Sequence, residues 1–184
     1  MTSEVLLGNK HWATITLSNA ERYAANGFAW YIGTGLQTLS SIGDYISVNF
    51  TTPDIGNVIL QFADIKKTGD DLTYNLIEAG TYAGGTATTL YNYNRIIGDS
   101  VQPFVVKTGI STGGATVTGG TVLPTKYVPG ISTGSTTTNG GASSDVNFII
   151  LKPNINYTLK ITALGTNTKV DCILSMAYIP VNLQ

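Results

Sequence analysis

Strict alternation of apolar and polar residues is the feature of this sequence that most restricts its fold. In residues 155–162, INYTLKIT, every odd-numbered residue is apolar and every even-numbered residue is polar. A period of two is typical of a β-strand with one buried and one solvated face. Residues 45–50 repeat the pattern, with Ile46, Val48 and Phe50 on one face. Both stretches are therefore predicted to be strands at the surface of a core.

Further strand patterns occur along most of the chain, separated by Gly, Asn, Asp and Pro. They cover residues 58–65, 72–77, 90–94, 146–151 and 170–179. The last stretch is apolar on both faces in places, which predicts a central strand or one covered by an interface. Lys152-Pro153-Asn154 is predicted to join two strands, because Pro lacks the N–H that a strand ladder uses. Residues 68–71, Thr-Gly-Asp-Asp, are predicted to close a hairpin.

Helical character is confined to residues 18–25, where Ser18 is the predicted N-cap and Gly27 the stop. Eight or more short strands separated by turns predict an all-β fold, an antiparallel β-sandwich with a jelly roll as the favoured topology. The chain has 184 residues, a natural size for one domain. We expect residues 45–184 to form the sandwich and residues 1–44 to supply an N-terminal arm and the first strands.

Residues 108–144 are unusually rich in Gly, Thr and Ser, and the word GISTG occurs in them twice, at 109–113 and 130–134. Two copies of a low-complexity word are weak support for a structural repeat. A long neutral insertion between two sandwich strands is the favoured interpretation. Loops of this length inside a compact domain are usually functional or mobile. If the insertion is functional, we expect it to form an arm that lies on a neighbouring subunit.

Charge is scarce: charged residues make up 11% of the chain, against about 25% in an average soluble domain. The net charge is −1, so there is no basic field to hold nucleic acid. Near-zero net charge on a neutral polar surface favours association. No secretory signal pattern and no apolar run of about 20 residues is present, so we expect a soluble protein, made in a cytoplasm, without a membrane partner.

The residues that usually carry catalysis or bind metals are few and scattered. His11 is the only histidine and Cys172, in an apolar run, the only cysteine, which excludes His-pair and thiolate metal sites. Asp70 and its acidic neighbour lack the alternating ligands of calcium loops. Glu78 and Asp64 lie on separate predicted strands, and this alone does not indicate a catalytic pair of carboxylates. We therefore predict no catalytic residues, no metal and no cofactor.

Aromatic residues concentrate near the N-terminus, and residues 28–32, FAWYI, fit three roles. Core is favoured first, a docking surface second and a sugar-stacking platform third. Arg95 follows a run of aromatic and amide residues; its guanidinium suits an internal or intersubunit hydrogen-bonding role, with a solvated strand end as the alternative. The candidate interface residues are Trp12, Phe28, Trp30, Tyr31 and Arg95.

Three segments between residues 46 and 179 resemble a family of small head proteins of tailed bacteriophages, the capsid decoration or auxiliary virion proteins. The first is Ile77-Glu78-Ala79 with the Gly/Thr turn after it. The second is residues 90–95, LYNYNR. The third, and most specific, is residues 148–162, FIILKPNINYTLKIT, a strand-turn-strand before a final strand. Residues 1–44 do not match the family clearly.

The resemblance implies an antiparallel sandwich without catalysis that self-associates on an icosahedral shell. The expected function is a capsid decoration protein on the outer head surface, with the major capsid protein and other copies of itself as partners, a homotrimer being favoured. The unmatched residues 1–44 are then predicted to set the attachment site. The alternative is a receptor- or carbohydrate-binding module of a tail fibre or baseplate. An enzyme, such as a polysaccharide depolymerase fragment, is the weakest hypothesis.

Overall fold

The computed structural model of the chain describes residues 2–7, 11–16, 19–96, 104–129 and 149–179. Strands dominate these ranges, and one short α-helix, α1 (Asn19–Ala25), is described near the N-terminus. In chain order the strands are β1 (Thr2–Leu7), β2 (His11–Thr16), β3 (Ala29–Gly33), β4 (Gln37–Leu39), β5 (Tyr45–Thr51), β6 (Asn57–Thr68), β7 (Leu72–Glu78), β8 (Thr81–Ala83), β9 (Thr86–Thr88), β10 (Tyr91–Asn92), β11 (Val106–Ile110), β12 (Thr116–Thr118), β13 (Thr121–Val122), β14 (Lys126–Val128), β15 (Ile149–Leu151), β16 (Asn156–Ala163) and β17 (Thr168–Ile179).

Two antiparallel sheets form the body of the protein, as the alternating sequence predicts. Sheet I has the order β10-β3-β17-β6-β15, with β4 also paired to β17. Sheet II has the order β13-β7-β16-β5-β11-β9, with β14 also paired to β7. The pairs β1-β2 and β8-β12 are separate from both sheets. The fold is therefore the predicted all-β antiparallel sandwich.

Successive long strands lie in opposite sheets. The chain passes from β5 in sheet II to β6 in sheet I and back to β7 in sheet II, and it repeats this alternation through β15, β16 and β17. The hairpin predicted at residues 68–71 is therefore wrong. The turn, with Gly69 at φ 92°, carries the chain from one sheet to the other. Alternation identifies a strand, whereas its partner is chosen by which pairing buries both apolar faces.

The core lies between the two sheets. Ile46, Val48 and Phe50 are each 1% exposed, so the predicted buried face of this strand is confirmed. The last strand, β17, lies between β3 and β6, which confirms its predicted central position. Cys172 on β17 is fully buried, and desolvation raises the pKa of its thiol to about 12. A thiol held protonated in the core is a packing residue.

The predicted strand-turn-strand around Lys152 is confirmed, and it also crosses between sheets. Thr52, 2% exposed, lies beside this turn: its Oγ1 donates to the Lys152 carbonyl oxygen at 2.7 Å and accepts the Ile155 N–H at 3.0 Å. Asn154 takes the left-handed conformation, with φ 54°. A single buried hydroxyl thus holds both sides of the crossover.

The first part of the Gly/Thr-rich insertion folds back on its own sandwich. β11 pairs with β5, and β13 and β14 pair with β7, so this part extends sheet II. Gly109 lies on β11 against Tyr82 and Ala115, where a side chain would collide with both. The second part of the predicted arm, residues 130–144, lies outside the described residues. Its proposed role on a neighbouring subunit stays a prediction.

Replacing Thr52 by Val removes the hydroxyl while keeping the shape of the side chain. We expect the free energy of unfolding to fall by about 1–3 kcal/mol, because two backbone groups of the crossover lose their partner. Urea unfolding followed by circular dichroism measures the change. Thr116→Val, at an exposed position on β12, is the control and should change stability by less than about 0.5 kcal/mol. Equal stability of the two variants would contradict the role of Thr52.

Candidate functional site

The structure places the five predicted interface residues in different environments. Trp30 is 6% exposed and belongs to the core, with Ala29 and Ile32, which confirms the core interpretation for most of residues 28–32. Phe28 is half-buried, and its carbonyl oxygen accepts the Tyr178 N–H at 2.9 Å.

Trp12 lies in β2 opposite Leu6, and the structure describes its backbone alone. The remaining two predicted residues, Tyr31 and Arg95, come together at one edge of sheet I.

Three tyrosine rings and one arginine form a surface cluster at this edge, here called the tyrosine patch: Tyr31, Tyr91, Tyr93 and Arg95. The rings of Tyr31 and Tyr91 stack with centroids 5.6 Å apart, and Tyr93 tilts against Tyr31 at 4.8 Å. The Arg95 guanidinium carbon lies 5.7 Å from the centre of the Tyr91 ring. Cation–π attraction at such an exposed site contributes about 0.5–1 kcal/mol.

The patch exists because β10 pairs with β3. Tyr91 lies directly opposite Tyr31, and side chains opposite each other in an antiparallel pair share one face. Asn92 lies opposite Trp30, points to the other face and is fully buried. Alternation along β10 therefore turns the tyrosines outward and the asparagine inward.

Asn92 anchors the patch to the end of helix α1. Its Nδ2 donates to the Gly27 carbonyl oxygen at 2.8 Å, and its Oδ1 accepts the Asn94 N–H at 2.8 Å. Asn94 repeats the arrangement, with Nδ2 donating to the Ala25 carbonyl oxygen at 2.8 Å and Oδ1 accepting the Ile96 N–H at 3.1 Å. Carbonyl groups at a helix C-terminus lack partners within the helix. Asn94 meets that need for Ala25, the last residue of α1, and Asn92 bonds to the turn after the helix. Together the two amides fix residues 91–96 in place.

The outward side of this anchored segment is strongly exposed. Tyr91 and Tyr93 are 41% and 40% exposed, and Ile96 is 97% exposed. The Tyr93 hydroxyl is 2.7 Å from the hydroxyl of Ser175, a fully buried residue on β17, so its ring is held at both ends. Tyrosine and arginine are the residue types enriched in protein interfaces. Such a patch offers rigid aromatic area and one positive charge to a binding partner.

The sequence alone identified Tyr31 and Arg95 and missed Tyr91 and Tyr93. A signal was present in the alternation Tyr-Asn-Tyr-Asn in residues 91–94, where amides that bond to the backbone alternate with tyrosines. Tyr91 stacks on Tyr31 because β10 pairs with β3, and the alternation does not show which strand β10 pairs with.

The two carboxylates considered for an enzyme, Glu78 and Asp64, lie on different sheets, and each is paired with a lysine. Glu78 accepts hydrogen bonds from Lys152 Nζ at 2.6 Å and from the Tyr157 hydroxyl at 2.8 Å. These two hydrogen bonds hold the pKa of Glu78 below its usual range. Burial, helped by Glu78, raises the pKa of Tyr157 to about 12. Asp64 lies on the other sheet and pairs with Lys66 at 3.7 Å.

Asp70 and Asp71 also serve the fold. The Asp70 carboxylate accepts the Thr166 N–H at 2.8 Å, and the Asp71 carboxylate accepts the Tyr127 hydroxyl. Within the described ranges, no three His, Cys, Asp or Glu side chains gather where a metal ion would bind. No helix in the described part of the chain has the length and apolarity needed to cross a membrane.

No protein-family model matches this chain, and no curated protein matches it.

The Glu78 carboxylate makes stability dependent on pH in the acid range. A carboxyl whose pKa is lower in the folded state stabilises the fold above its unfolded pKa, about 4.3 for Glu, and this contribution disappears as the pH falls through the folded pKa. Comparing urea midpoints from neutral pH into the acid range, we expect Glu78→Gln to lose less stability than the wild type. Parallel curves for the two proteins would contradict this role of Glu78.

Anchoring by Asn92 predicts that the buried amide, and not the exposed rings, supports the local fold. Asn92→Ala should lower the free energy of unfolding by about 1–3 kcal/mol, since two backbone groups lose their partner. Tyr91→Ala, its exposed neighbour, should cost less than about 1 kcal/mol. Thermal unfolding of both variants tests the order, and the reverse order would overturn the proposed anchor.

Proposed function

We propose that this protein is a non-enzymatic structural protein of a tailed bacteriophage that decorates the outer surface of the head. The tyrosine patch carries the proposal: it is an exposed aromatic surface, held in place by hydrogen bonds of Asn92, Asn94 and Ser175. Its proposed partners are the major capsid protein and further copies of the same chain, in a homotrimer. The proposed location is the capsid surface of the virion, after synthesis in the host bacterial cytoplasm.

Composition supports an assembly role. Charged residues are 11% of the chain and the net charge is −1, so neighbouring copies repel each other little. Aromatic rings that are already fixed lose little conformational entropy when a partner covers them. On a shell, many modest contacts of this kind act together and hold firmly through multivalency.

The segments that resemble phage head proteins have distinct places in the fold. Glu78 of the first segment bonds to Lys152 and Tyr157 of the third, so these two form one internal joint between the ends of β7 and β16. The second segment, residues 90–95, contributes Tyr91, Tyr93 and Arg95 to the patch. The second segment is the one proposed to contact partners, and the contacts of Glu78 join the other two within the sandwich.

We infer a jelly-roll topology for the sandwich. Eight strands follow two interlocked orders, β3-β17-β6-β15 in sheet I and β5-β16-β7-β14 in sheet II. In chain order the strands cross between the sheets at every step except from β7 to β14, which pair with each other in sheet II. This is how two Greek keys build a jelly roll. Viral capsid and lectin domains use this topology, so it agrees with a virion protein by analogy of fold.

The second candidate is a receptor- or carbohydrate-binding module of a tail fibre or baseplate. The stacked, exposed rings of Tyr31 and Tyr91 favour it, because flat aromatic surfaces also bind the apolar faces of ligands. Head attachment and glycan binding place the same patch against different partners. Location in the particle separates the two candidates.

Head occupancy tests the proposal. Purified heads, separated from tails, are mixed with the protein, and the bound copies are counted by quantitative mass spectrometry. We expect the wild type to bind in many copies per head and the double variant Tyr91→Ala/Arg95→Ala to lose at least about tenfold in affinity, since aromatic and arginine residues often contribute 1–2 kcal/mol or more each. Tyr127→Ala is the control, because Tyr127 is an exposed tyrosine on β14 of sheet II, whereas the patch lies on sheet I.

Absence of the protein from heads, or a handful of copies per particle, would contradict decoration. Binding that survives the double variant would move the contact away from the patch, with the part of residues 1–44 outside the patch as the next candidate. Glycan-array binding that disappears in the double variant, in a protein absent from heads, would favour the second candidate.

A further inference from the structure

A polar cleft of about 320 Å³ opens at the edge of the sandwich, apart from the tyrosine patch. Thr34 and Gln37, at the bend between β3 and β4, line one side, and Thr86 and Thr108 on β9 and β11 line the other. Its size falls in the range of small-molecule sites, about 300–1,000 Å³. The cleft thus lies where the edges of sheets I and II face each other.

Hydrogen-bonding groups and a small apolar surface meet in this cleft. Ile110, which is half-buried, provides aliphatic surface. The Gln37 Nε2 donates to the Thr34 carbonyl oxygen at 3.1 Å, which fixes the amide. The Thr108 hydroxyl lies 2.8 Å from that of Thr88 and keeps further hydrogen-bonding capacity. A fixed amide and several hydroxyls beside aliphatic carbon can bind a ligand with both polar and apolar faces.

The lining also limits the charge of the ligand. Threonine, glutamine, isoleucine and glycine residues line the cleft, and none of them carries a charged side chain. An ion that leaves water for such a site loses hydration without gaining an opposite charge, which is costly. A neutral ligand that carries several hydroxyls loses only hydrogen bonds that the amide and hydroxyls replace.

Glycine residues allow close packing of the backbone on the sheet II side of the cleft. At Gly85 and Gly109 a Cβ would collide with the hydroxyl of Tyr82, so only glycine allows the backbone of β9 and β11 to pack this closely. Gly113 completes the lining. Tyr82 occupies the space beside Gly85 and Gly109, so these two residues contribute only backbone to the cleft.

We propose that this cleft binds a neutral saccharide, with Gln37, Thr86 and Thr108 as its hydrogen-bonding side chains and Ile110 against an apolar face of the sugar ring. The site goes beyond attachment to a capsid and does not depend on it. Capsid attachment uses the patch, and saccharide binding uses the cleft, so either one can fail while the other stands.

Nuclear magnetic resonance titration of the full chain tests the cleft. The probes are N-acetylglucosamine and glucose, both neutral, with glucuronate as the anionic comparison. We expect the amide signals of Gly85, Gly109 and Gly113 to shift with either neutral sugar and to stay unchanged with glucuronate at the same concentration. Glycine amides occupy a distinct spectral region, so the three signals report on the cleft directly.

Two matched variants assign the binding to the lining. Thr86→Val removes one exposed hydroxyl and keeps the β-branched shape, and it should weaken binding about three- to tenfold. Thr38→Val, an exposed position on β4 that does not line the cleft, should bind like the wild type. Both variants are expected to fold, which the dispersion of their spectra verifies.

Three results would overturn the proposal. The first is the absence of shifts with both neutral sugars at concentrations well above the millimolar range. The second is equal binding of glucuronate, which would contradict selection against charge. The third is a set of shifts confined to the tyrosine patch, which would place any saccharide there instead.

Discussion

Both sheets depend on two C-terminal strands that lie at their centres. β16 is paired with β5 and β7, and β17 with β3 and β6, so removing either strand would divide a sheet. Their partners come from the first half of the chain, and loop closure must be completed before these pairs form. The tyrosine patch depends on the same arrangement, because β17 holds β3 in place and Ser175 bonds to Tyr93.

Much of the fold follows from residue patterns, and the partner of each strand does not. Alternation placed the strands at 45–50 and 155–162 within a residue or two, and Gly27 ended the helix as predicted. A strand pattern records which face is buried, and the same face can be covered from either sheet. That is why the turn residues at 68–71 predict a hairpin, although the chain crosses from one sheet to the other there.

The tyrosine patch was predictable only in part, for a related reason. Tyr31 and Arg95 stand out by residue type. Tyr91 and Tyr93 become part of the same surface only when β10 pairs with β3. The role of Asn92 is harder still to predict, since a buried amide serving a helix end looks in sequence like any polar loop residue.

Several of the few charged groups of the chain make contacts within the fold. Glu78 and Lys152 close a joint between strands, Asp70 bonds to a neighbouring turn, and Lys67 is 3% exposed with its Nζ on the Asp70 carbonyl oxygen. Burial lowers the pKa of Lys67. These contacts engage several of the few charged groups of the chain within the fold.

A cryo-EM map of the phage particle tests the central claim most directly. The proposal predicts density for the sandwich on the outer surface of the head, with Tyr31, Tyr91, Tyr93 and Arg95 against the major capsid protein or a neighbouring copy. Density for the sandwich on a tail fibre or baseplate, or on the head with these four side chains facing solvent, would contradict it.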